Sequence, residues 1–100
     1  MSYSEVEMKV LQWGEARGIV KNAKPLGQAI KTLEETTELL DAINRGHRDD
    51  TVDAVGDVVV TLIMVCATLD LDLVACLHYA YDQIKDRKGY LTPQGVFVKQ

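Results

Sequence analysis

The sequence predicts an all-α protein, an antiparallel four-helix bundle that further copies of the chain complete. Three observations predict it. Apolar residues recur at three- and four-residue steps over long stretches. Capping residues and stop glycines bracket those stretches. One stretch is apolar around nearly its whole circumference, so it must be covered on every side. A chain of 100 residues can hardly do that alone, which implies a homo-oligomer.

Each element can be justified in turn. Ser2 and Ser4 stand three residues before Glu5 and Glu7, the spacing of a capping box. The first helix runs to about Arg17, where Gly18 stops it. Val6, Val10, Leu11 and Trp13 give it a modest apolar face. Residues 19–24 read as a linker, and Pro25 suits the first turn of a second helix. There Leu26, Ile30, Leu33, Thr37, Leu40 and Ile43 keep the helical period as far as the stop at Gly46. The third helix begins near Asp50 and carries the all-round apolar run, including Val55, Val58, Val59, Ile63 and Met64. Its valines would suit a buried strand, but the run is several times the usual strand length. Asp70 to Asp72 break it and cap the fourth helix, residues 73–86, with Leu77, Ala80, Tyr81 and Ile84 inward. Gly89 ends that helix, and the tail, with Pro93 and Gly95, reads as a packed extended segment.

Composition bounds the function. A hydrophobic share of 47% and a charged share of 26% suit one ordinary globular domain over residues 1–100. The net charge of −4 opposes a duplex nucleic-acid module, and no basic recognition helix is visible for a helix-turn-helix regulator. No signal-peptide pattern opens the chain, and the apolar stretch 58–69 is short for a bilayer. Cys66 and Cys76 form no CxxC pair and read as buried free thiols. The expectation is a cytoplasmic protein with no membrane association.

The acid is concentrated. Residues 34–57 hold eight carboxylates and two arginines, a local charge of −6. Glu34, Glu35 and Glu38 lie at three- and four-residue spacing on the second helix, and Asp53 and Asp57 are four apart on the third. The turn between these helices is short, so they lie antiparallel. Counted away from that turn, Glu38 and Asp57 are level, each about 10 Å along its helix at ~1.5 Å per residue. Carboxylates brought together raise one another's pKa, and a hard divalent cation removes that cost. Magnesium fits, because it binds carboxylates, keeps water and also binds substrate phosphates. The plain alternative is a solvated acidic face, with Asp53 only offsetting the helix dipole.

These residues resemble the MazG-like all-alpha nucleotide pyrophosphohydrolases. The match runs through Glu34-Glu35-Thr36-Thr37-Glu38 and then Asp53-Ala54-Val55-Gly56-Asp57, against a family pattern EExxE followed by ExxD. Gln28 and Lys31 upstream, and the run from Ile84 to Gly89, are also similar, so the resemblance covers about residues 13–89. It implies hydrolysis of a nucleoside or deoxynucleoside triphosphate to the monophosphate and pyrophosphate, with Mg2+ (or Mn2+) as cofactor and a homodimer or homotetramer as the working form. It implies Glu35, Glu38 and Asp57 as metal ligands, and Glu34 as a further ligand or the residue that orients the attacking water. The glutamate of ExxD falls on Ala54, which cannot bind metal, and the neighbouring Asp53 is the candidate to substitute for it, directly or through a water.

Lys31, Lys85, Arg87 and Lys88 are candidates to hold the phosphates, and Asp82 to touch the nucleotide. Each also has a plain role, Lys31 as a helix-surface ion pair and the others as solvated or dipole-matched charges. Trp13 is either core or a platform for the base. His47 and His78 lack metal-ligand spacing, and Gly46 and Gly56 form no phosphate loop. The competing reading is an inactive helical dimer that keeps the fold, and Ala54 is the feature that favours it.

Overall fold

The computed structural model of the chain is 71% helical. Its elements are α1 (Tyr3–Ala16), α2 (Ile19–Asn22), α3 (Pro25–Asn44), α4 (Arg48–Thr68) and α5 (Leu73–Ile84), then the strands β1 (Gly89–Leu91) and β2 (Phe97–Lys99).

Local chemistry sets most of the boundaries. Ser2 is the N-cap of α1, its hydroxyl accepting from the Glu5 amide at 3.2 Å and donating to the Glu5 carboxylate at 3.1 Å. The expected linker holds one short helix, α2, because Gly18 takes a left-handed φ of 73° and lets the chain re-enter a helix at once. Pro25 occupies the first turn of α3. The turn into α4 uses Gly46 at φ 69°. It is tied by Arg45, which donates to Asp41 at 2.9 Å and to Asp50 at 3.4 Å. α4 starts two residues earlier than the sequence suggests, with His47 as N-cap, so Asp49 and Asp50 fall in its first turn and suit the helix dipole. Asp72 caps α5 by accepting from the Ala75 amide.

The antiparallel pair α3–α4 is the tightest packing in the chain. Ala42 (2% exposed) and Ala54 (6%) lie in this contact zone, and their small side chains let the two backbones approach. α1 and α2 lie against the other flank of α4, where Gly14 is buried over Met64. The core of the single chain is small: Gly14, Ala42, Ala54, Thr61, Ile63, Met64 and Cys66.

Three expectations are corrected. α5 is not a fourth bundle member within the chain. It meets only α4, and Leu77, Ala80, Tyr81 and Ile84 are exposed rather than inward. The tail is a β-hairpin paired Gly89 to Lys99 and Leu91 to Phe97, and its strands pack on none of the helices. Cys66 is buried as expected, but Cys76 is exposed. The apolar stripe of α3 likewise faces away from α4, since the positions facing α4 are Gln28, Thr32, Glu35, Leu39 and Ala42. α4 as a whole, at 21 residues and a mean hydropathy of 1.8 over its most apolar window, is long and apolar enough to cross a membrane by length and composition. A core helix of a soluble protein can share that profile, and within the single chain 28% of that window is buried, Ile63, Met64 and Cys66 included.

The chain is open for its mass. Its accessible surface is 7736 Å², whereas a folded monomer of 11.1 kDa is expected to expose about 5,700 Å². Its radius of gyration is 15.7 Å against about 13 Å for a compact domain of this length.

Candidate metal centre

Of the clefts that border the α3–α4 hairpin, two hold the candidate metal ligands, and Asp57 lines both. The first, of about 230 Å³, is walled by Glu38, Asp41, Ala42 and Arg45 from α3 and its C-cap, and by Asp50, Asp53, Ala54 and Asp57 from α4. The second, of about 340 Å³, lies where α1, α2, α3 and α4 meet. Trp13, Ile19, Gln28, Lys31, Glu35, Asp57, Val60, Thr61 and Met64 are among its walls.

The helical period explains the arrangement. Glu35 and Glu38 are three apart on α3, and Asp53 and Asp57 four apart on α4, so each pair shares a face turned toward the groove. Their charges confirm mutual proximity. The Glu38 carboxyl beside it, then burial, push the Glu35 carboxyl above the usual range, with Lys31 opposing. Burial first, then the charges of Asp53 and Glu35, raise Asp57. Four carboxyls thus feel one another across two helices.

Glu35 is the most telling. Its side chain is only 13% exposed, and Oε1 lies 3.7 Å from Lys31 Nζ. Oε2 is fully buried and has no hydrogen-bond partner. A buried carboxylate oxygen without a donor is costly, and a cation beside it would remove that cost. The donor set around it is all oxygen and acidic, which suits magnesium or manganese rather than a softer metal. The side chains do not yet close on one point, since no group of three or more His, Cys, Asp or Glu stands at ligating spacing.

The other sequence candidates divide clearly. Trp13, 43% exposed, lines the second cleft, and the Arg17 guanidinium lies 4.7 Å from its ring centre. Lys31 lines the same cleft and pairs with Glu34 at 3.1 Å, an interaction that raises its pKa. Glu34 lines neither cleft and is exposed on the outer side of α3. Asp82, Lys85, Arg87 and Lys88 lie on α5 and just beyond it, an element that meets α4 alone, and Lys85 reaches only Asp82 at 3.5 Å. Ala54 sits in the wall of the acidic cleft, so the position of the missing glutamate faces the other acids. Sequence reasoning had overlooked Arg45, which crosses the helix turn, and Ile19, Val60, Thr61 and Met64, which floor the second cleft. Arg45 was the one basic residue directly before the turn glycine, a readable signal. Ile19, Val60, Thr61 and Met64 gave none, because they look like core.

A mostly helical domain with an acidic groove between two antiparallel helices is thus defined by its fold and its site. Residues 26–91 match the MazG nucleotide pyrophosphohydrolase domain, and the chain belongs to that family. It is also 32% identical over 63 residues to an uncharacterized 18.2 kDa protein from the rep-hol intergenic region of Haemophilus phage HP1 (strain HP1c1). That match takes in 63% of this chain and 39% of the phage protein. No solved structure matches the chain.

Proposed function

We propose that this protein hydrolyses a nucleoside or deoxynucleoside triphosphate to the monophosphate and pyrophosphate, with magnesium (or manganese) as cofactor. The observation that carries this reading is the orphaned Oε2 of Glu35, a residue that shares with Asp57 the wall of the cleft that also holds Trp13. Glu35, Glu38 and Asp57, with Asp53 in place of the acid missing at Ala54, would hold the metal. An ion held there would neutralise phosphate charge and lower the pKa of an attacking water.

The chain's own residues do the rest. Trp13 offers a face on which the base stacks, above a floor of Val60 and Met64. Lys31 Nζ is placed between the base cleft and the carboxylates, where it can leave Glu34 for a phosphate oxygen. Glu34, released at the same time, is free to orient water from the outer side. The triphosphate tail needs more positive charge than one lysine; Arg45 in the acidic cleft and Arg17 over Trp13 are the nearer cations, and Lys85, Arg87 and Lys88 of a neighbouring subunit are further candidates. The working form is a homo-oligomer, a reading supported by the roughly 2,000 Å² that the chain exposes beyond the expectation for its mass. Two free thiols suit a reducing, cytoplasmic setting.

The test is a substrate panel. Common NTPs and dNTPs are incubated with the protein in magnesium and in EDTA, and monophosphate and pyrophosphate are followed. Magnesium-dependent release of both products, in equal amounts, supports the reading. No release from any nucleotide by a folded oligomer would favour a domain that has kept the fold and lost the chemistry, as Ala54 alone would suggest.

A further inference from the structure

α3 has three distinct faces. One packs on α4 and one carries Lys31, Glu34 and Glu38. The third is an apolar stripe with no partner: Leu26 is 74% exposed, Ile30 52%, Leu33 67% and Leu40 64%. Leu26, Leu33 and Leu40 are seven residues apart, and Ile30, Thr37 and Asn44 form a second seven-residue series between them. That is a heptad seam with leucine at every d position and Ile, Thr and Asn at the a positions. β-branched a residues with d leucines, as Ile30 and Thr37 supply here, favour two strands in parallel coiled coils.

A stripe of this kind is complementary to itself, so the partner it fits is a second copy, in a closed two-fold dimer. We infer that the α3 stripes of two copies of this chain pack against each other as a short coiled-coil seam along Leu26, Ile30, Leu33, Thr37 and Leu40. The inference rests on the oligomer proposed above and names its surface. A stable interface buries about 800 Å² per partner, and the roughly 2,000 Å² by which the whole chain exceeds a compact monomer, shared among α3, α5 and the hairpin, leaves room for one. The seam leaves both clefts open, because it lies on the side of α3 away from α4. It brings Glu34 to its edge at an e position, so the outer acid of the motif comes to stand beside the partner.

The test reads mass and dissociation constant, and needs no nucleotide, so it can fail while the hydrolase reading stands. Wild type should be dimeric or larger at micromolar concentration by light scattering. Leu33→Asp should raise the dissociation constant by about 10²–10⁴-fold, since two leucines are lost per two-fold interface. Leu77→Asp, on the equally exposed α5, should leave α3-mediated association intact. Should Leu33→Asp fail to fold by circular dichroism, Thr37→Ile decides, because it touches nothing outside α3 in one chain and should tighten the dimer at least tenfold. A monomeric wild type, a Leu33→Asp variant of unchanged mass, a dimer broken by Leu77→Asp instead, or a Thr37→Ile variant of unchanged affinity would each overturn the seam.

Discussion

The contact between Gly14 and Met64 sets how closely α1 lies on α4, and so where Trp13 stands in its cleft. Met64 is 2% exposed and is the largest fully buried side chain. A methyl group added at Gly14 would meet Met64 Sδ at 2.5 Å and Cε at 2.8 Å, with Val20 Cγ2 at 3.5 Å. Gly14→Ala therefore has two opposing effects. The helix gains about 1 kcal/mol in propensity, and the overpacked contact costs about 1–3 kcal/mol, so the net is a loss of about 0–2 kcal/mol. Met64→Ala alone should cost about 2–5 kcal/mol. In the double variant the clash is gone, and Gly14→Ala should become stabilising by about 1 kcal/mol. The coupling is then about 1–3 kcal/mol. The assay is denaturant unfolding of the four proteins at one fixed concentration in EDTA. Additivity within about 0.5 kcal/mol would refute the reasoning, because distant independent sites behave that way.

Three further outcomes follow from the acidic groove. The folded-state pKa of Glu35 and of Asp57 is raised, so the folded chain binds more protons than the unfolded chain between the ordinary and the raised values. Stability in EDTA should therefore fall as pH rises through that window and recover on mild acidification, and saturating magnesium should flatten or reverse the trend; melting curves from pH 4 to 7 check both. Glu38→Ala and Asp57→Ala should lower turnover by about 10²–10⁴-fold, the several kcal/mol that metal chemistry supplies, whereas Asp53→Ala should do less; a wild-type rate for Asp57→Ala with an intact oligomer would place the metal elsewhere. Ala54→Glu restores the motif acid in the wall of the acidic cleft. It should lower the melting temperature in EDTA and increase the stabilisation by magnesium, and thermal shift with graded magnesium reads both.

Much of this was legible in the sequence, for physical reasons that can be named. Caps, stop glycines and helical period depend on a few neighbouring residues, so Ser2, Gly18, Pro25, Gly46 and Asp72 announced their roles directly. The level placement of Glu38 and Asp57 followed from a rise per residue and a short turn, and both line one cleft. What failed to read out was direction. Periodicity shows that a stripe exists, not what it faces. Leu26, Leu33 and Leu40 look like core in a sequence, yet the α4-facing side of α3 is built from Gln28, Thr32, Glu35 and two small or aliphatic residues. The same confusion put Leu77 and Ile84 inside a bundle that the chain does not close.

That misreading carries an argument of its own. A helix pair whose inner face is part polar spends its contact surface on holding a site rather than on burying leucine. The inner positions of α3 include Glu35, whose buried oxygen has no donor, and Thr32 and Thr36, whose hydroxyls turn back onto the carbonyls of Gln28 and Thr32. The leucines displaced from that face must be buried elsewhere, since leaving them in water forfeits most of the hydrophobic stabilisation available to so small a domain. In this chain the carboxylate groove and the exposed heptad are therefore two consequences of one choice. Placing acids between α3 and α4 moves the apolar face of α3 outward, and the proposed association of copies would return that face to an apolar contact.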